Sequence, residues 1–394
     1  MRHTYMDANA TTPLLPEVLE AMRPYFIERF GNASSIHGPG QQARAAVERA
    51  RDAVAALLHC RSSEIIFTSG GTESDNLALF GILKPGDHLI TSSIEHHAVL
   101  HAAERLAERG IDVTFLPVDH SGAVRSEVLS EALRPNTRLV SIMLANNETG
   151  VIQPIPPISQ IIATANSRRD QPILLHTDAV QAAAKLPLDV QVLGCQLLTI
   201  TAHKIYGPLG IGVLYVRRGQ QIEPLLFGGT HERQRRAGTE NLPGIVGLGR
   251  AAELAAQALT DGTVQRTAAL RDRLERGLMQ RIAACGINGD PANRVANTSN
   301  LWFDHLEGEA LVIALDLKGL AVSGGSACQS GAAEPSHVLT AMGATAHHAR
   351  ASLRFSLLRT ATENDIDFAL EIVPDAVARL RSLSPEWQAA KVVV

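Results

Sequence analysis

Short apolar runs alternate with helical patterns along most of the first two thirds of the chain. Between about residue 40 and residue 255, seven runs rich in β-branched residues have the length and composition of strands, and several are apolar on both faces, as a covered parallel sheet requires. Between them, apolar residues recur every three or four positions, as from Ala43 to Leu57, which is typical of amphipathic helices. Alternating strands and helices predict an α/β sheet. The strand candidates are EIIFT, HLITS, DVTFLPV, RLVSIML, ILLHT, LLTIT and GIGVLYV.

The pattern changes near residue 260, where TDG is a plausible break. A predicted helix follows, with an apolar residue at every fourth position from Leu270 to Ile282. Strand-like SNLWFD and LRFSLL flank a predicted helix over Glu307–Leu317, and the residues from Thr362 to Asp365 match a helix capping box. This order is typical of an α+β unit. We expect a large α/β domain over residues 13–258 and a smaller α+β domain formed by residues 1–12 and 259–394.

Composition narrows the classes of partner. The 394 residues are 45% hydrophobic, enough for a sizeable core, and a net charge of -4 gives no reason to expect nucleic acid or an anionic membrane as a partner. No signal peptide and no apolar run of about 18 residues is visible, so we expect a cytoplasmic protein without membrane association. Four cysteines without a CxxC pair indicate neither a disulfide framework nor a metal site. In a reducing compartment each of them is core filler or a reactive thiol: Cys60, Cys195, Cys285 and Cys328.

A glycine turn follows the first strand candidate, in IIFTSGGTESDNLALFG. Glycines allow a ligand to approach the backbone closely, and the free N–H groups of a helix N-terminus favour phosphate. We expect the helix to open at Thr72, whose hydroxyl can cap the helix and donate to the anion. The alternative is an ordinary glycine turn before a capped helix, since the motif is neither GxGxxG nor a Walker A loop.

Two further candidates follow later strands. Asp178 lies just beyond ILL, at the edge where open α/β sheets bind ligands, although a helix cap is the commoner role for an aspartate there. Lys204 lies beyond LLTIT with a glycine-rich turn behind it, and can be a nucleophile or a surface lysine. A phosphate cradle, an acid and a lysine at strand ends together describe how proteins hold pyridoxal 5'-phosphate, with the acid paired to the pyridinium nitrogen.

Seven motifs along the chain carry a resemblance to a known family: TSGGTESDN, SIEHHAVL, LANNETGVIQPI, HTDAVQ, TAHKIYGPLGIG, RRAGTENLPG and SGGSACQSGAAEPSHVL. With them the sequence resembles the cysteine desulfurases, in the class V aminotransferase group of pyridoxal-phosphate enzymes. The resemblance covers about Tyr5 to Arg359 and implies fold type I, with a large, mostly parallel seven-stranded sheet in the cofactor-binding domain and a smaller α+β domain that carries the active cysteine. It looks nearest to the branch that serves iron–sulfur cluster assembly.

The resemblance implies a role for each matching position. Lys204 resembles the Schiff-base lysine, Asp178 the partner of the ring nitrogen, and His96 the histidine stacked on the ring. Beside His96, the residues His97 and His101 are also histidines, and any of the three can be a surface helix residue. The remaining cofactor positions are Asn147 and Gln181 at the ring hydroxyl; Gly71, Thr72, Thr201 and His203 around the phosphate; and Thr239, which the other subunit of a homodimer donates to the phosphate.

Arg354 in LRFSL resembles the arginine that binds the substrate carboxylate, which suits guanidinium geometry. Arg350 is the obvious competitor, but Arg354 has the motif's spacing from Ser-Leu. Asn32 in FGNASSIHG matches a loop near the substrate, or it simply turns the chain.

Cys328 lies in a stretch rich in glycine, serine and alanine, a composition that argues against burial and suits an exposed, mobile loop. The family motif makes it the catalytic thiol, which leaves the other three cysteines as filler. DANATT at residues 7–12 replaces a more usual DNAATT-like run, Thr201 replaces a serine, and SLLRTAT replaces a turn with more glycine.

The resemblance implies that Lys204 and Cys328 convert L-cysteine to L-alanine, with His96 assisting proton transfer. The sulfur is held as a persulfide and passed to an acceptor, by default an iron–sulfur scaffold protein, with thiolation of transfer RNA or other cofactor routes as alternatives. The alternatives are a selenocysteine lyase, a plain aminotransferase of the same fold, or a non-catalytic protein that retains the fold.

Overall fold

The computed structural model describes residues 3–324, residues 335–384 and Trp387. All seven strand candidates between residues 64 and 216 form strands. In chain order, the strands are β1 (Thr4–Tyr5), β2 (Ile65–Thr68), β3 (His88–Ser92), β4 (Asp112–Leu116), β5 (Thr137–Ser141), β6 (Leu174–Asp178), β7 (Leu197–Thr201), β8 (Gly212–Val216), β9 (Cys285–Ile287), β10 (Thr298–Phe303), β11 (Leu320–Ala321), β12 (Ser323–Gly324) and β13 (Ser352–Ser356).

The helices lie between and after these strands. They are α1 (Pro16–Met22), α2 (Pro24–Ile27), α3 (Gly38–Leu57), α4 (Gly71–Phe80), α5 (His97–Ala107), α6 (Ser126–Ala132), α7 (Ile155–Asn166), α8 (Val190–Leu193), α9 (Leu242–Ala258), α10 (Thr263–Arg281), α11 (Gly308–Asp316), α12 (His337–Ala341), α13 (Ala346–Arg350) and α14 (Glu363–Leu383). The predicted apolar faces are buried, from Ala43 to Leu57 in α3 and from Leu270 to Leu278 in α10.

Strands β2 to β8 form one seven-stranded sheet in the order β2-β8-β7-β6-β5-β3-β4. Only β8 runs antiparallel to its neighbours, and the other pairings are parallel. Every residue of β2, β3, β6, β7 and β8 is buried. Helices cover both faces of the sheet, which explains why these strands are rich in apolar and β-branched residues. Two hydrophobic clusters, one on each face, form the core.

The rest of the chain forms smaller sheets. An antiparallel sheet has the order β12-β13-β10-β9, and β1 pairs in parallel with β11. A third hydrophobic cluster joins these strands to α10, α11 and α14. The predicted capping box is present, since the Thr362 hydroxyl accepts from the Asp365 amide while the Asp365 carboxylate accepts from the Thr362 amide. The predicted fold class is therefore confirmed. The domain limits at residues 12 and 258 stay a prediction.

The N-terminal segment joins the two parts of the molecule. Thr4 and Tyr5 pair with β11, and Asp7 forms a bridge with Ser356 at the end of β13. The chain then crosses to the large sheet, where the Thr12 amide donates to the His203 carbonyl at 2.9 Å. Residues 9 and 10 consequently lie at the carboxyl edge of that sheet.

Within the described part of the chain, no helix combines the length and apolar character needed to span a bilayer.

Candidate active site

A cavity of about 410 Å³ lies at the carboxyl edge of the large sheet. Strands β6 and β7 end there at Asp178 and Thr201, and α4 begins there at Gly71. This is the position at which open α/β sheets bind their ligands. Its walls are formed by Asn9, Ala10, Gly71, Thr72, Asp75, His96, His97, Met143, Ala145, Asn147, Glu148, Asp178, Val180, Gln181, Thr201, His203, Lys204, His337 and Arg354.

The glycine turn between β2 and α4 forms one end of the cavity. A Cβ on Gly212 of the neighbouring strand would lie 2.6 Å from the Gly70 carbonyl carbon, so only glycine lets the turn pack this closely. The prediction that Thr72 caps the helix is wrong. The helix begins one residue earlier, with Gly70 at the cap position and its carbonyl accepting from the Ser74 amide at 3.1 Å. Thr72 therefore lies in the first turn, on the cavity wall, where its hydroxyl is available to an anion.

Lys204 ends a short 3-10 turn, Ala202–Lys204, directly after β7. Its Nζ donates to the Asn9 carbonyl at 2.5 Å and to the Ala10 carbonyl at 2.6 Å. The residue is half-buried and lines the cavity, so the alternative of a surface lysine is wrong. The N-terminal segment thus positions the amine at the sheet edge.

Asp178 is the last residue of β6 and is 6% exposed. Its Oδ1 accepts from the Val180 amide at 2.8 Å within a turn, and no helix follows directly, so the helix-cap alternative is wrong. Burial raises the pKa of Asp178 to about 6, although the Val180 amide and the Lys204 ammonium oppose the shift. A cationic ring nitrogen beside this carboxylate would favour its ionised form.

Two buried acids near Asp178 were not identified from the sequence. Burial raises the pKa of Asp75 well above its ordinary value, and the neighbouring Asp178 charge adds to the shift. The Asp75 Oδ1 is 3.6 Å from His176 Nε2. Glu95 accepts from the Ser92 hydroxyl at 2.5 Å and from the Met143 amide at 3.0 Å, and burial raises its pKa to about 8. Each occurs among polar residues in the sequence, and only the fold shows that they are buried.

His96 is the N-cap of α5, and its Nδ1 accepts from the Ala98 amide at 3.1 Å. Burial lowers its pKa to about 4, and Lys204 and nearby histidines add to the shift. The ring is therefore neutral, with its proton on Nε2. Among the alternatives, His97 also lines the cavity and lies 4.7 Å from the ring of His337, whereas His101 is exposed.

The amide pair predicted at the ring hydroxyl lies on one wall. Gln181 donates from Nε2 to the Asn9 carbonyl at 2.9 Å. Asn147 accepts at its carbonyl from Asn9 Nδ2 at 3.1 Å. Its side-chain Oδ1 is buried and has no hydrogen-bond partner among the described residues. A buried polar atom of this kind indicates a place for a ligand group, because leaving it unpaired is costly.

Arg354 lies on β13 in the cavity wall beside Asn147 and is 3% exposed. Its guanidinium donates to the Asn147 carbonyl at 2.9 Å and to Asp7 Oδ1 at 2.7 Å. The competitor Arg350 is exposed and does not line the cavity. Beside Arg354, the buried Glu148 accepts from the Ser336 hydroxyl at 2.6 Å, and burial raises its pKa to about 7.

The two other predicted phosphate contacts also line the cavity but have protein partners. The Thr201 hydroxyl donates to the Ile211 carbonyl at 3.1 Å. His203 Nδ1 lies 3.1 Å from the Thr11 hydroxyl, and burial lowers its pKa to about 4, with Lys204 adding to the shift. The Thr201 hydroxyl must rotate before it can donate to a phosphate.

Three predicted residues are not brought into this cavity by the described structure. Thr239 is exposed and does not contribute to the wall. Asn32 is exposed, and its Oδ1 accepts from the Ser34 amide at 2.9 Å, which is the turn alternative. Cys328 lies outside the described residues.

The other three cysteines have the environment expected of core filler. Burial raises the pKa of Cys60 and of Cys195 to about 12, and raises that of Cys285 above its ordinary value. At neutral pH these thiols stay protonated, and a protonated thiol is a poor nucleophile.

A lysine and a buried carboxylate at the carboxyl edge of a mostly parallel sheet are typical of enzymes that bind pyridoxal 5'-phosphate in a large α/β domain. The sequence matches the family described as Aminotransferase class-V over residues 4–368. The protein named Cysteine desulfurase IscS of Methanosarcina thermophila is 49% identical over 385 residues, covering 97% of this chain and 93% of that protein.

Two solved structures are similar to this chain over most of its length. One described as a NifS-like protein has a TM-score of 0.89 and 37% identity, covering 96% of this chain and 100% of that chain. Another, described as SspA in complex with cysteine, has a TM-score of 0.78 and 36% identity, covering 90% of this chain and 98% of that chain. The chain belongs to the class V aminotransferase family, among its cysteine desulfurases.

Proposed function

We propose that this chain is a pyridoxal-phosphate-dependent cysteine desulfurase that converts L-cysteine to L-alanine and carries the sulfur as a persulfide on Cys328. The observation that supports this most is the shared cavity of Lys204 and Asp178, with the Gly71 turn at one end. L-cysteine is proposed as the substrate because the relatives are named cysteine desulfurases.

The described residues fit pyridoxal 5'-phosphate. The N-terminus of α4 at Gly71 and Thr72 suits the phosphate, and Asp178 suits the ring nitrogen. The unpartnered Asn147 Oδ1 suits a hydroxyl on the ring. When bound, the cofactor supplies an aldehyde that links to amines and a ring that accepts the electron pair released at the substrate α-carbon.

The chain's own groups bind the substrate and move protons. Arg354 binds the substrate carboxylate through the N–H donors that remain to it. Lys204 Nζ accepts the α-proton as general base and returns a proton later. His96, neutral and with its proton on Nε2, is suited to donate to a ligand in the cavity. Asp178 stabilises positive charge on the ring nitrogen, as a buried carboxylate does beside a cation.

Cys328 completes the reaction. Its thiolate attacks the substrate sulfur, so that an S–S bond forms while the substrate C–S bond breaks. The electron pair of that bond stays with the carbon fragment, which takes up protons and leaves as L-alanine. One L-cysteine and one enzyme thiol thereby yield one L-alanine and one persulfide, and no external oxidant is needed. The position of Cys328 in SGGSACQSG supports its role.

The test uses the purified protein with L-cysteine and a reductant, and measures alanine and sulfide. We expect both products in equal amounts. Lys204→Ala should lose the absorption of the lysine-bound cofactor and all turnover, while Cys328→Ser should keep the cofactor and release no sulfide. Cys285→Ser is the matched control and should behave like the unmodified protein. Normal sulfide release by Cys328→Ser would overturn the assignment.

We also propose a homodimer. Segments 33–34 and 230–235 line one groove, and exposed apolar residues flank both segments. These residues are Phe26 at 59%, Ile27 at 77%, Phe30 at 68%, Ile36 at 91% and Phe227 at 86% exposure. Exposed apolar side chains at this density are typical of an interface. Thr239 lies in the same region of the chain and would reach the partner's phosphate.

The proposal also includes a scaffold protein as the sulfur acceptor and the cytoplasm as the cellular location. The name of the Methanosarcina relative supports iron–sulfur cluster assembly, so a scaffold protein is the proposed acceptor. The composition supports a cytoplasmic location.

A selenocysteine lyase is not favoured, since the relatives are named cysteine desulfurases. Consumption of a keto acid would indicate a plain aminotransferase, and a colourless protein would indicate a non-catalytic one.

A further inference from the structure

Asn9 connects two lysines. Its carbonyl accepts from Lys204 Nζ at 2.5 Å and from Gln181 Nε2 at 2.9 Å. Its side-chain Oδ1 accepts from Lys185 Nζ at 3.2 Å. Asn9 is 2% exposed. Its side chain therefore places an acceptor for Lys185 beside the amine of Lys204.

Lys185 fixes the orientation of the Gln181 amide. Its Nζ donates to Gln181 Oε1 at 2.9 Å, while Gln181 Nε2 donates to the Asn9 carbonyl. If the amide flipped, its NH₂ would face an ammonium and its oxygen would face a carbonyl, and both contacts would be repulsive. One Nε2 hydrogen is left to donate to an acceptor in the cavity, such as the oxygen of a ring hydroxyl.

When it is protonated, Lys185 carries a charge that no carboxylate of the described residues neutralises at close range. Among the described residues, no carboxylate lies within 4.0 Å of its Nζ. Burial lowers the pKa of Lys185 to about 7, and the positive charges of Lys204 and Arg354 add to the shift. The repulsion acts in both directions, so a charged Lys185 disfavours a proton on the Lys204 nitrogen.

We propose that Lys185 is a positioning residue of the cofactor site, which holds the Gln181 amide in one orientation and lowers the proton affinity of the Lys204 nitrogen. The inference rests on the proposed cofactor for the role of Gln181, whereas its effect on Lys204 does not require the cofactor. A neighbouring cation activates an amine in this way because it increases the neutral, nucleophilic fraction.

Other groups also act on Lys204. Asp178 favours its charged form, whereas the neutral rings of His96 and His203 contribute little at neutral pH. The positive charge of Arg354 acts on Lys185 and adds to the lowering of its pKa. Replacement of Lys185 leaves these four residues in place, so a comparison of variants at position 185 that keep or remove the charge separates its contribution from theirs.

The first measurement is the pH dependence of the absorption of the cofactor-loaded enzyme. Lys185→Met should raise the titration midpoint of the lysine-bound nitrogen by about one pH unit. Lys185→Arg, which keeps the charge, should stay near the unmodified midpoint. Lys84→Met at an exposed lysine is the matched control and should not shift it. An unshifted midpoint in Lys185→Met would overturn the proposal.

The second measurement uses the cofactor-free protein. Labelling of Lys204 by an amine-directed reagent is followed by mass spectrometry across pH, and its midpoint should rise in Lys185→Met. Lys185→Gln, which is neutral but still a hydrogen-bond donor, should show the same rise and replaces Lys185→Met if that variant does not fold. Equal midpoints in all variants contradict the inference. Failure of the unmodified protein to bind the cofactor contradicts the proposed function instead, and leaves the labelling result valid.

Discussion

Arg354 donates from Nη2 to Asp7 Oδ1 at 2.7 Å, which ties the N-terminal segment to the wall of the cavity. The guanidinium is 3% exposed and also donates to the Asn147 carbonyl, so its plane is fixed from two sides. Its Nε is buried and has no partner among the described residues. A guanidinium held in this way has donors left for a substrate carboxylate and loses little freedom on binding it.

Arg354→Lys keeps the charge but removes the planar pair of donors. One charge-assisted hydrogen bond is worth about 1.5–3 kcal/mol, so we expect KM for L-cysteine to rise roughly 10- to 100-fold. The cofactor absorption should not change. Steady-state kinetics measure this effect, and Arg350→Lys at an exposed position is the control. An unchanged KM in Arg354→Lys, or an equal rise of KM in both variants, would show that Arg354 does not bind the substrate carboxylate.

Gly71→Ala tests the phosphate end of the cavity. A Cβ at this position would lie 3.1 Å from Val180 Cγ2, which forms part of the cavity wall. The added methyl group must displace the Val180 side chain in the cavity wall, so we expect affinity for pyridoxal 5'-phosphate to fall roughly tenfold or more, which corresponds to about 1.4 kcal/mol of binding free energy. Titration of the cofactor-free protein measures the dissociation constant.

The matched control is Gly38→Ala. Gly38 is likewise the first residue of a helix, but a Cβ there meets no atom within 4 Å. Urea unfolding of the cofactor-free proteins should show changes below about 1 kcal/mol for both variants, since alanine is a good helix former. Equal cofactor affinity in the two variants would place the phosphate elsewhere.

Glu95 predicts how stability depends on pH. Burial raises its pKa to about 8, so the folded protein binds a proton that the unfolded chain releases above about pH 4.3. The free energy of unfolding therefore falls as pH rises between these values, by at most about 1.4 kcal/mol per pH unit from this residue. Glu95→Gln removes this titrating carboxyl group, so the free energy of unfolding should fall less steeply as pH rises.

Urea unfolding of the cofactor-free protein at about pH 5 and about pH 8 checks this expectation. Glu95→Gln should gain stability relative to the unmodified protein on going to the higher pH. Glu104→Gln, at an exposed position on α5, should show no such gain. A difference between Glu95→Gln and the unmodified protein that stays constant with pH would show that the folded carboxyl titrates normally.

The sequence predicted the large sheet well because its strands are buried on both faces. Runs such as LLTIT and GIGVLYV keep an apolar or β-branched residue at most positions, and few other structures tolerate that pattern. The first residue of a helix was predicted less accurately than the strands. The helix after Gly70 begins one residue before the predicted Thr72, because the glycine itself occupies the cap position and no side chain marks it.

Within the site, the residues found were those that follow strands or match a motif, such as Asp178 and Lys204. Those missed include Asp75, Glu95, Glu148 and Lys185, which in the sequence resemble ordinary polar residues of a helix or a turn. Their burial and raised or lowered pKa values arise from segments far away in sequence. No local pattern contains that information.

The central claim is that Cys328 carries the sulfur, and peptide mass spectrometry tests it most directly. The protein is incubated with L-cysteine, alkylated and digested, and the cysteine peptides are compared with those of a sample without substrate. The peptide with Cys328 should gain the mass of one sulfur atom, whereas the peptides with Cys60, Cys195 and Cys285 should not. The gain should disappear in Lys204→Ala. Alanine formation without added sulfur on Cys328, or with sulfur on another cysteine, would contradict the account.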